Sequence, residues 1–227
     1  MNQTPAIRSF IVIVLIAGLM VATYFAGRRG LADVVAQEPR YEVERWQIGK
    51  SAPDGVRLNV LQAELHKAMD LDPGNPNLLD DLGRFHGARV ARERPNDAGV
   101  RESRQQSLTY FRHALELRPT SGHAYVNIAL SKFRLGEIDQ EFTGAMEQAL
   151  RRSPWEPQVQ LIAIELGIAS WQALSDSTRQ KLQQAIRSQA QWHLANQKPH
   201  LLLLFKRYRR SDLNCLLESG HSACGAS

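Results

Sequence analysis

The phrase Ala-x-x-x-x-Pro occurs three times in this sequence and constrains the fold more than any other feature. Its alanines are Ala68, Ala114 and Ala149, and a proline follows each of them five residues later. Because proline cannot continue a helix, each phrase marks a helix end. Apolar residues recur at helical spacing before each alanine and after each proline. The sequence therefore predicts an all-α fold of short paired helices, with no sheet.

The spacing of the phrases is close to that of a known helical repeat. Ala114 and Ala149 are 35 residues apart, and large apolar residues precede each small alanine at helical spacing. This pattern resembles the tetratricopeptide repeat (TPR) of about 34 residues, in which each hairpin stacks on its neighbours to bury its apolar stripe. Ala68 and Ala114 are 46 residues apart, and the excess predicts an insert over residues 89–103. The resemblance implies a TPR-like helical-hairpin solenoid.

An uncharged apolar stretch precedes the repeats, from Phe10 to Gly27, between Arg8 and the pair Arg28 and Arg29. Residues 9–27 are 19 residues, close to the roughly 20 that a transmembrane helix needs. A cleaved secretory signal is the alternative. The stretch is longer than a usual signal core and lacks a good small-x-small cleavage site, so we expect an uncleaved, single-pass anchor.

The charges around this stretch leave its orientation open. The positive-inside count slightly favours a cytoplasmic C-terminal domain, because Arg28 and Arg29 follow the span. Long domains, however, cross a membrane largely regardless of charge. The three flanking arginines also account for most of the formal net charge of +5, so the rest of the chain is nearly neutral.

We predict four segments along the chain. They are a transmembrane anchor over 1–29, a linker with a degenerate first helix over 30–55, TPR-like repeats over 56–175, and C-terminal capping helices with a tail over 176–227. Pro76 and Pro157 are expected at or near first helical positions, where the missing N–H costs nothing. Further helices are expected over 40–48, 56–71, from Pro157 to about Gln172, over 177–192 with Ser175 or Asp176 as N-cap, after Pro199 and from Ser211 or Asp212.

The resemblance extends beyond the repeats, to small membrane-anchored proteins of bacterial exopolysaccharide gene clusters. It lies in the anchor, in the phrases ERW, LDPGNP, YVNIALSKFRLGEIDQEF and PWEPQVQL, and in the cysteine-bearing tail. It implies a bacterial inner-membrane protein with its C-terminal domain in the periplasm. It also implies a part in exopolysaccharide biosynthesis or export.

Catalytic signatures are missing from the sequence. It contains no GxSxG, HExxH, Walker phosphate loop or GxGxxG after a strand. The seven histidines are scattered, and the spacing of Cys215, His221 and Cys224 matches no usual metal site. We therefore predict a protein that is not an enzyme and uses no cofactor or metal. An enzyme would need a deep pocket with convergent titratable groups.

The TPR resemblance implies a groove that binds a protein segment. Asn127 follows Tyr125 by two residues, at a place where the family often uses asparagine to bond the backbone of its ligand. The same register places further residues in this groove: Asp81, Arg84, His123, Leu130 and Arg134. Three alternatives stay open: Asn127 caps a neighbouring carbonyl, the insert or the tail fills the groove, or Asp81, beside Asp80 early in a helix, is structural. We predict a scaffold that holds a protein partner near the membrane.

Two features of the last 50 residues suggest other roles. No acidic residue occurs between Asp176 and Asp212, and the bases there end in the cluster Lys206, Arg207, Arg209 and Arg210. This cluster is the basis of an alternative function, contact with an anionic polymer or lipid, although a solvated helix face has the same composition. Nucleic acid is not expected, since no binding motif accompanies the charge.

The cysteines Cys215 and Cys224 are close enough in sequence to form a disulfide in an oxidising compartment. Closing so short a loop would stabilise the fold by about 2–3 kcal/mol. In the cytosol the same residues would be two thiols.

Overall fold

The computed structural model describes residues 5–47, 54–91, 93, 97, 99–192 and 194–217. Residues 5–7, 47, 190–192 and 194–197 are described by their backbone alone. The described residues are mostly helical and contain no β-strand, which confirms the all-α prediction. The chain divides into two compact units, Met1–Arg89 and Val90–Ser227.

The first unit contains three helices, and each packs against the other two. They are α1 (Pro5–Gln47), α2 (Gly55–Leu71) and α3 (Pro76–Arg89). Asp54 caps α2, since its carboxylate accepts the N–H of Arg57 at 2.9 Å. The bounds of α2 agree with the helix predicted over 56–71.

Helix α1 is one continuous helix of 43 residues. The anchor boundary expected at residue 29 and the start of the linker expected at residue 30 lie inside it, and residues 40–47 of the helix expected over 40–48 form its last part. Four side chains explain the continuity, because Ala32, Ala36, Val43 and Trp46 are all buried and recur at helical spacing. Packing of this stripe outweighs the hydrogen bond that Pro39 removes from the helix.

The first half of α1 is long and apolar enough to cross a membrane. The candidate span Arg8–Trp46 contains an 18-residue window of mean hydropathy 2.4, and none of that window is buried. This agrees with the expected anchor in length and composition. A secretory signal near an N-terminus also meets this criterion of length and apolar composition.

The second unit contains the remaining helices. They are α4 (Val100–Leu117), α5 (Gly122–Leu135), α6 (Gln140–Arg152), α7 (Pro157–Ala169), η1 (Trp171–Ala173), α8 (Asp176–Trp192), α9 (Leu194–Arg207) and η2 (Ser211–Leu217). Helix α5 packs against α4, α6 and α7, and α8 packs against α6, α7, α9 and η2. One apolar core runs through the unit from α4 to η2.

The repeated phrase forms the same turn in all three copies. Ala68, Ala114 and Ala149 are at most 1% exposed, and the carbonyl of each accepts the backbone N–H four residues later, at 3.0–3.2 Å. That later residue then accepts the N–H three residues beyond it, at 3.1–3.2 Å. This second bond closes a β-turn whose second position is the proline, which has the φ angle that position needs. The prediction that each phrase ends a helix is confirmed.

Several predicted helix starts are also confirmed. Helices α3 and α7 begin at Pro76 and Pro157. Ser175 caps α8, because its hydroxyl accepts the N–H of Thr178 at 3.3 Å. The last short helix begins at Ser211, as expected, but it is a 3-10 helix.

Two boundaries differ from the prediction. Helix α7 ends at Ala169 and not near Gln172, since the chain turns into η1 there. Helix α9 begins at Leu194, so Pro199 lies inside it. Residues 100–103 of the predicted insert belong to α4, while residues 92, 94–96 and 98 lie outside the described residues.

Candidate functional site

The six residues predicted to line a groove fall into both units. Asp81 and Arg84 lie on α3 in the first unit, whereas His123, Asn127, Leu130 and Arg134 lie on α5 in the second. Each group is therefore described within its own unit.

Asp81 holds α3 against α1. It is 8% exposed, and its Oδ2 accepts a charge-assisted hydrogen bond from Arg40 Nε at 2.5 Å. Burial raises the pKa of Asp81, although the Arg40 guanidinium opposes this shift. Arg40 also lies 3.2 Å from Asp33. These contacts favour the structural interpretation of Asp81.

The surroundings of Asp81 leave no space for a small ligand. A shallow depression there has no room for a water molecule inside it. Its lining residues are Pro39, Arg40, Val43, Leu65, Asp81 and Arg84.

His123 is engaged at the first turn of α5. Its Nε2 lies 2.5 Å from Glu156 Oε2, and about half of its side chain is exposed. Glu156 is the N-cap residue of α7. His123 thus connects the start of α5 to the start of α7, which packs against α5.

The other three predicted residues share one face of α5. Asn127, Leu130 and Arg134 are three and four residues apart, a spacing that places them on one side of a helix. All three are half-buried. Among the described residues, the side chain of Asn127 forms no hydrogen bond, so it caps no neighbouring carbonyl there. We call these three residues the α5 face.

A cluster of charges at the α5–α6 turn was not predicted as a site. Lys132 has a side chain only 4% exposed, and its Nζ lies 3.2 Å from Glu137, 2.9 Å from Asp139 and 3.0 Å from Glu141. Arg112 of α4 donates to both carboxylate oxygens of Glu141, at 2.8 and 2.6 Å. We call these five residues the Lys132 cluster. The sequence contains a signal that could have indicated this cluster: acidic residues alternate at 137, 139 and 141, shortly after Lys132. Lys132 itself lies at helical spacing from apolar residues, so its spacing alone does not indicate a charge cluster.

The protonation states in the Lys132 cluster favour the charged forms. Burial opposes the charged form of Lys132, but hydrogen bonds to the three carboxylates outweigh it and raise its pKa. The bond from Arg112 lowers the pKa of Glu141, and the bond from Lys132 lowers the pKa of Asp139. The cluster therefore joins α4, α5 and α6 through opposite charges.

Two of the four bases in the C-terminal cluster, Arg207 and Arg210, form ion pairs. Arg207 lies 3.0 Å from Glu165, and Arg210 pairs with Asp212 while its guanidinium stacks 4.0 Å from the centre of the Trp171 ring. Lys206 and Arg209 are exposed, and in the part of the chain that the structure describes they form no ion pair.

The cysteines and histidines assemble no metal site in the described ranges, which contain no group of three or more His, Cys, Asp or Glu side chains placed to hold an ion. Cys215 packs against the core of the second unit. Cys224 and His221 lie outside the described residues, so the disulfide stays a prediction.

Comparison of the chain with protein-family models, with curated proteins and with solved structures finds no match.

Proposed function

We propose that this chain is a non-catalytic adaptor built of TPR-like helical hairpins and tethered to the bacterial inner membrane by residues 9–27. Two observations support this architecture. The repeated phrase forms the same hydrogen-bonded turn at Ala68, Ala114 and Ala149, and α1 carries a stretch long and apolar enough to span a bilayer. A hairpin cannot bury its own apolar stripe, so repeated hairpins stack on their neighbours.

The observation that carries the binding function is the α5 face. Asn127 presents both an amide donor and an amide acceptor, which match the backbone of an extended protein segment. Its side chain has no hydrogen bond within the described part of the chain, and Leu130 beside it adds an apolar contact. The ligand of this face is a segment of a protein partner. Confinement to a membrane raises the effective concentration of that partner, so a modest affinity suffices.

The cellular setting rests on the resemblance to small membrane proteins of exopolysaccharide gene clusters. In that setting the C-terminal domain lies in the periplasm and holds a component of the polysaccharide biosynthesis or export machinery. A reporter fused after Ser227 that works only outside the cytoplasm tests this placement. Activity is the expected result, and a silent reporter together with an active cytoplasmic one would contradict it.

A photo-crosslinking amino acid tests the α5 face directly. We expect it to form a discrete adduct with one protein when it replaces Asn127 in cells. Thr109, an exposed residue of α4, is the matched control position and should give no such adduct. Equal adducts from both positions, or none from Asn127, would exclude the α5 face as a partner site. Mass spectrometry of the adduct would identify the partner.

A second candidate function is binding of an anionic polymer or lipid by the end of α9. Leu202 and Leu203 are 41% and 65% exposed, and the exposed Lys206 and Arg209 follow them without ion pairs among the described residues. Exposed apolar residues beside unpaired bases are typical of surfaces that bind anionic lipid headgroups. Arg207 and Arg210 contribute less, because Glu165 and Asp212 already neutralise them.

Charge reversal tests this second candidate. We expect K206E/R209E to weaken binding of the full chain to polygalacturonate, or to vesicles containing phosphatidylglycerol, by at least about tenfold at low salt. The variant R151E/R187E makes the same change in net charge elsewhere in the second unit and is the control. Equal losses in both variants, or binding that salt does not weaken, would exclude a specific site on α9.

A further inference from the structure

Two arginines lie close together where α4 packs against the end of α5. Arg104 Nη1 donates a hydrogen bond to the backbone carbonyl of Arg134 at 2.7 Å. Arg104 is only 8% exposed, and its buried Nε has no hydrogen-bond partner among the described residues. Arg134 is half-buried. The Arg104 guanidinium therefore lies on the backbone of Arg134, and its positive charge acts on the Arg134 side chain.

The described residues supply no carboxylate to either guanidinium. Burial lowers the pKa of Arg134, and the positive charge of Arg104 lowers it further. Other arginines of α4 are paired, since Arg101 lies 3.4 Å from Glu137 and Arg112 forms two bonds with Glu141. The fold thus neutralises its other α4 arginines and leaves this pair positive.

An unpaired charge withdrawn from water is costly, and a carboxylate supplied by a ligand would offset that cost. Guanidinium groups match carboxylates in geometry, and the bonds between them are among the stronger hydrogen bonds in proteins. Arg134 also belongs to the α5 face, beside Asn127 and Leu130. A ligand held along that face would therefore contact Arg134.

We propose that Arg104 and Arg134 form a binding site for a carboxylate, which an Asp or Glu side chain of the segment held on the α5 face supplies. This proposal deepens the proposed function and rests on it. The partner segment is acidic at the point where it passes the end of α5. Arg104 fixes the position of the site through its bond to the Arg134 backbone and adds its positive charge, and the half-buried guanidinium of Arg134 receives the carboxylate.

A defined acidic probe tests the site on the full chain in detergent. We expect a fluorescent peptide of six glutamates to bind more tightly than its six-glutamine counterpart, as measured by anisotropy. The variant R104Q/R134Q should weaken glutamate-peptide binding by at least about tenfold. The variant R151Q/R187Q loses the same two charges away from the site and should bind as the parent chain does.

Three outcomes would overturn the carboxylate site. One is an equal loss in R104Q/R134Q and R151Q/R187Q, which would show general charge attraction. Another is equal affinity for the glutamate and glutamine peptides. The third is displacement of the peptide by inorganic phosphate at equal carboxyl and phosphate concentrations, which would show a site for free anions and not for an acidic segment.

Thermal unfolding distinguishes a binding arginine from a structural one. Without ligand, Arg134→Gln should raise the Tm of the full chain, because it removes a charge that the fold leaves uncompensated. A fall in Tm would show that Arg134 supports the fold and would overturn the proposal. The parent chain should also gain Tm when the glutamate peptide is added, and the variant should not.

The crosslinking experiment separates failure of this inference from failure of the adaptor function. If the Asn127 adduct forms with undiminished yield in the R104Q/R134Q background, the arginine site fails and the adaptor function stands. If Asn127 gives no adduct in the parent chain, the adaptor function fails whatever the glutamate peptide does.

Discussion

Replacing Gly122 with alanine is expected to lower the free energy of unfolding of the second unit by about 2–3 kcal/mol, the cost of overpacking a tight contact. A Cβ atom at this position would lie 2.0 Å from Ser153 Oγ and 2.7 Å from Ser153 Cβ. Ser153 is 4% exposed and ends α6, and its backbone N–H is bonded to Ala149. Because Ser153 is held by the repeated turn, it cannot move aside without disturbing that turn. Chemical denaturation followed by circular dichroism measures the loss.

Two further variants make this prediction specific. Gly144→Ala lies inside α6 with nothing within 4 Å of the added carbon, so it should stabilise the chain by up to about 1 kcal/mol through helix propensity. Adding Ser153→Gly to the Gly122→Ala chain should restore much of the lost stability by making room for the methyl group. If Gly122→Ala were as harmless as Gly144→Ala, the start of α5 would not lie against the end of α6 as described.

Replacing Lys132 with methionine is expected to destabilise the second unit by about 2–3 kcal/mol. Breaking a fully buried charge pair costs about 3–5 kcal/mol. The loss expected here is smaller because the three carboxylates are 34–54% exposed and water can solvate them. Lys181→Met is the control, since Lys181 is 56% exposed and pairs only with Glu147 among the residues that the structure describes. It should cost less than about 1 kcal/mol. Similar losses in the two variants would contradict a central role for the Lys132 cluster.

The Lys132 cluster also predicts a pH dependence. Asp139 and Glu141 have lowered pKa values, so the stability they contribute is present above their ordinary values of 3.8 and 4.5 and is lost as pH falls below them. Lys132 has a raised pKa, so its contribution is complete below its ordinary value of 10.5 and is lost only at higher pH. The parent chain should therefore lose more stability than Lys132→Met between about pH 5 and pH 3. Parallel losses in the two chains would exclude this linkage.

Local chemistry made much of the fold predictable. The starts of α3 and α7 at Pro76 and Pro157, the end of α2 and the cap at Ser175 all follow from residues that act on their own backbone neighbours. Proline removes one N–H and serine supplies one acceptor wherever the rest of the chain lies. The repeated turn belongs to the same class, because its bonds join residues at most four apart.

Contacts between distant residues limited the prediction of the site. Asp81 was assigned to a groove, yet it binds Arg40, 41 residues earlier in the chain. Lys132 was not singled out, because its burial among acids depends on the way α5 meets α6. Arg104 was not singled out, because nothing near it in sequence shows that its guanidinium lies on the backbone of Arg134.

The sequence by itself determined that this chain is helical, where its prolines stop the helices, and that its first helix is apolar enough for a bilayer. Those properties depend on single residues and on their spacing along one helix. Only the tertiary structure decided that α1 continues through Pro39, that Asp81 is bonded within its own unit, and that Arg104 and Arg134 share a site without a carboxylate among the described residues. Each of these depends on which helix faces lie together, and burial then sets the free energy of the charges between them.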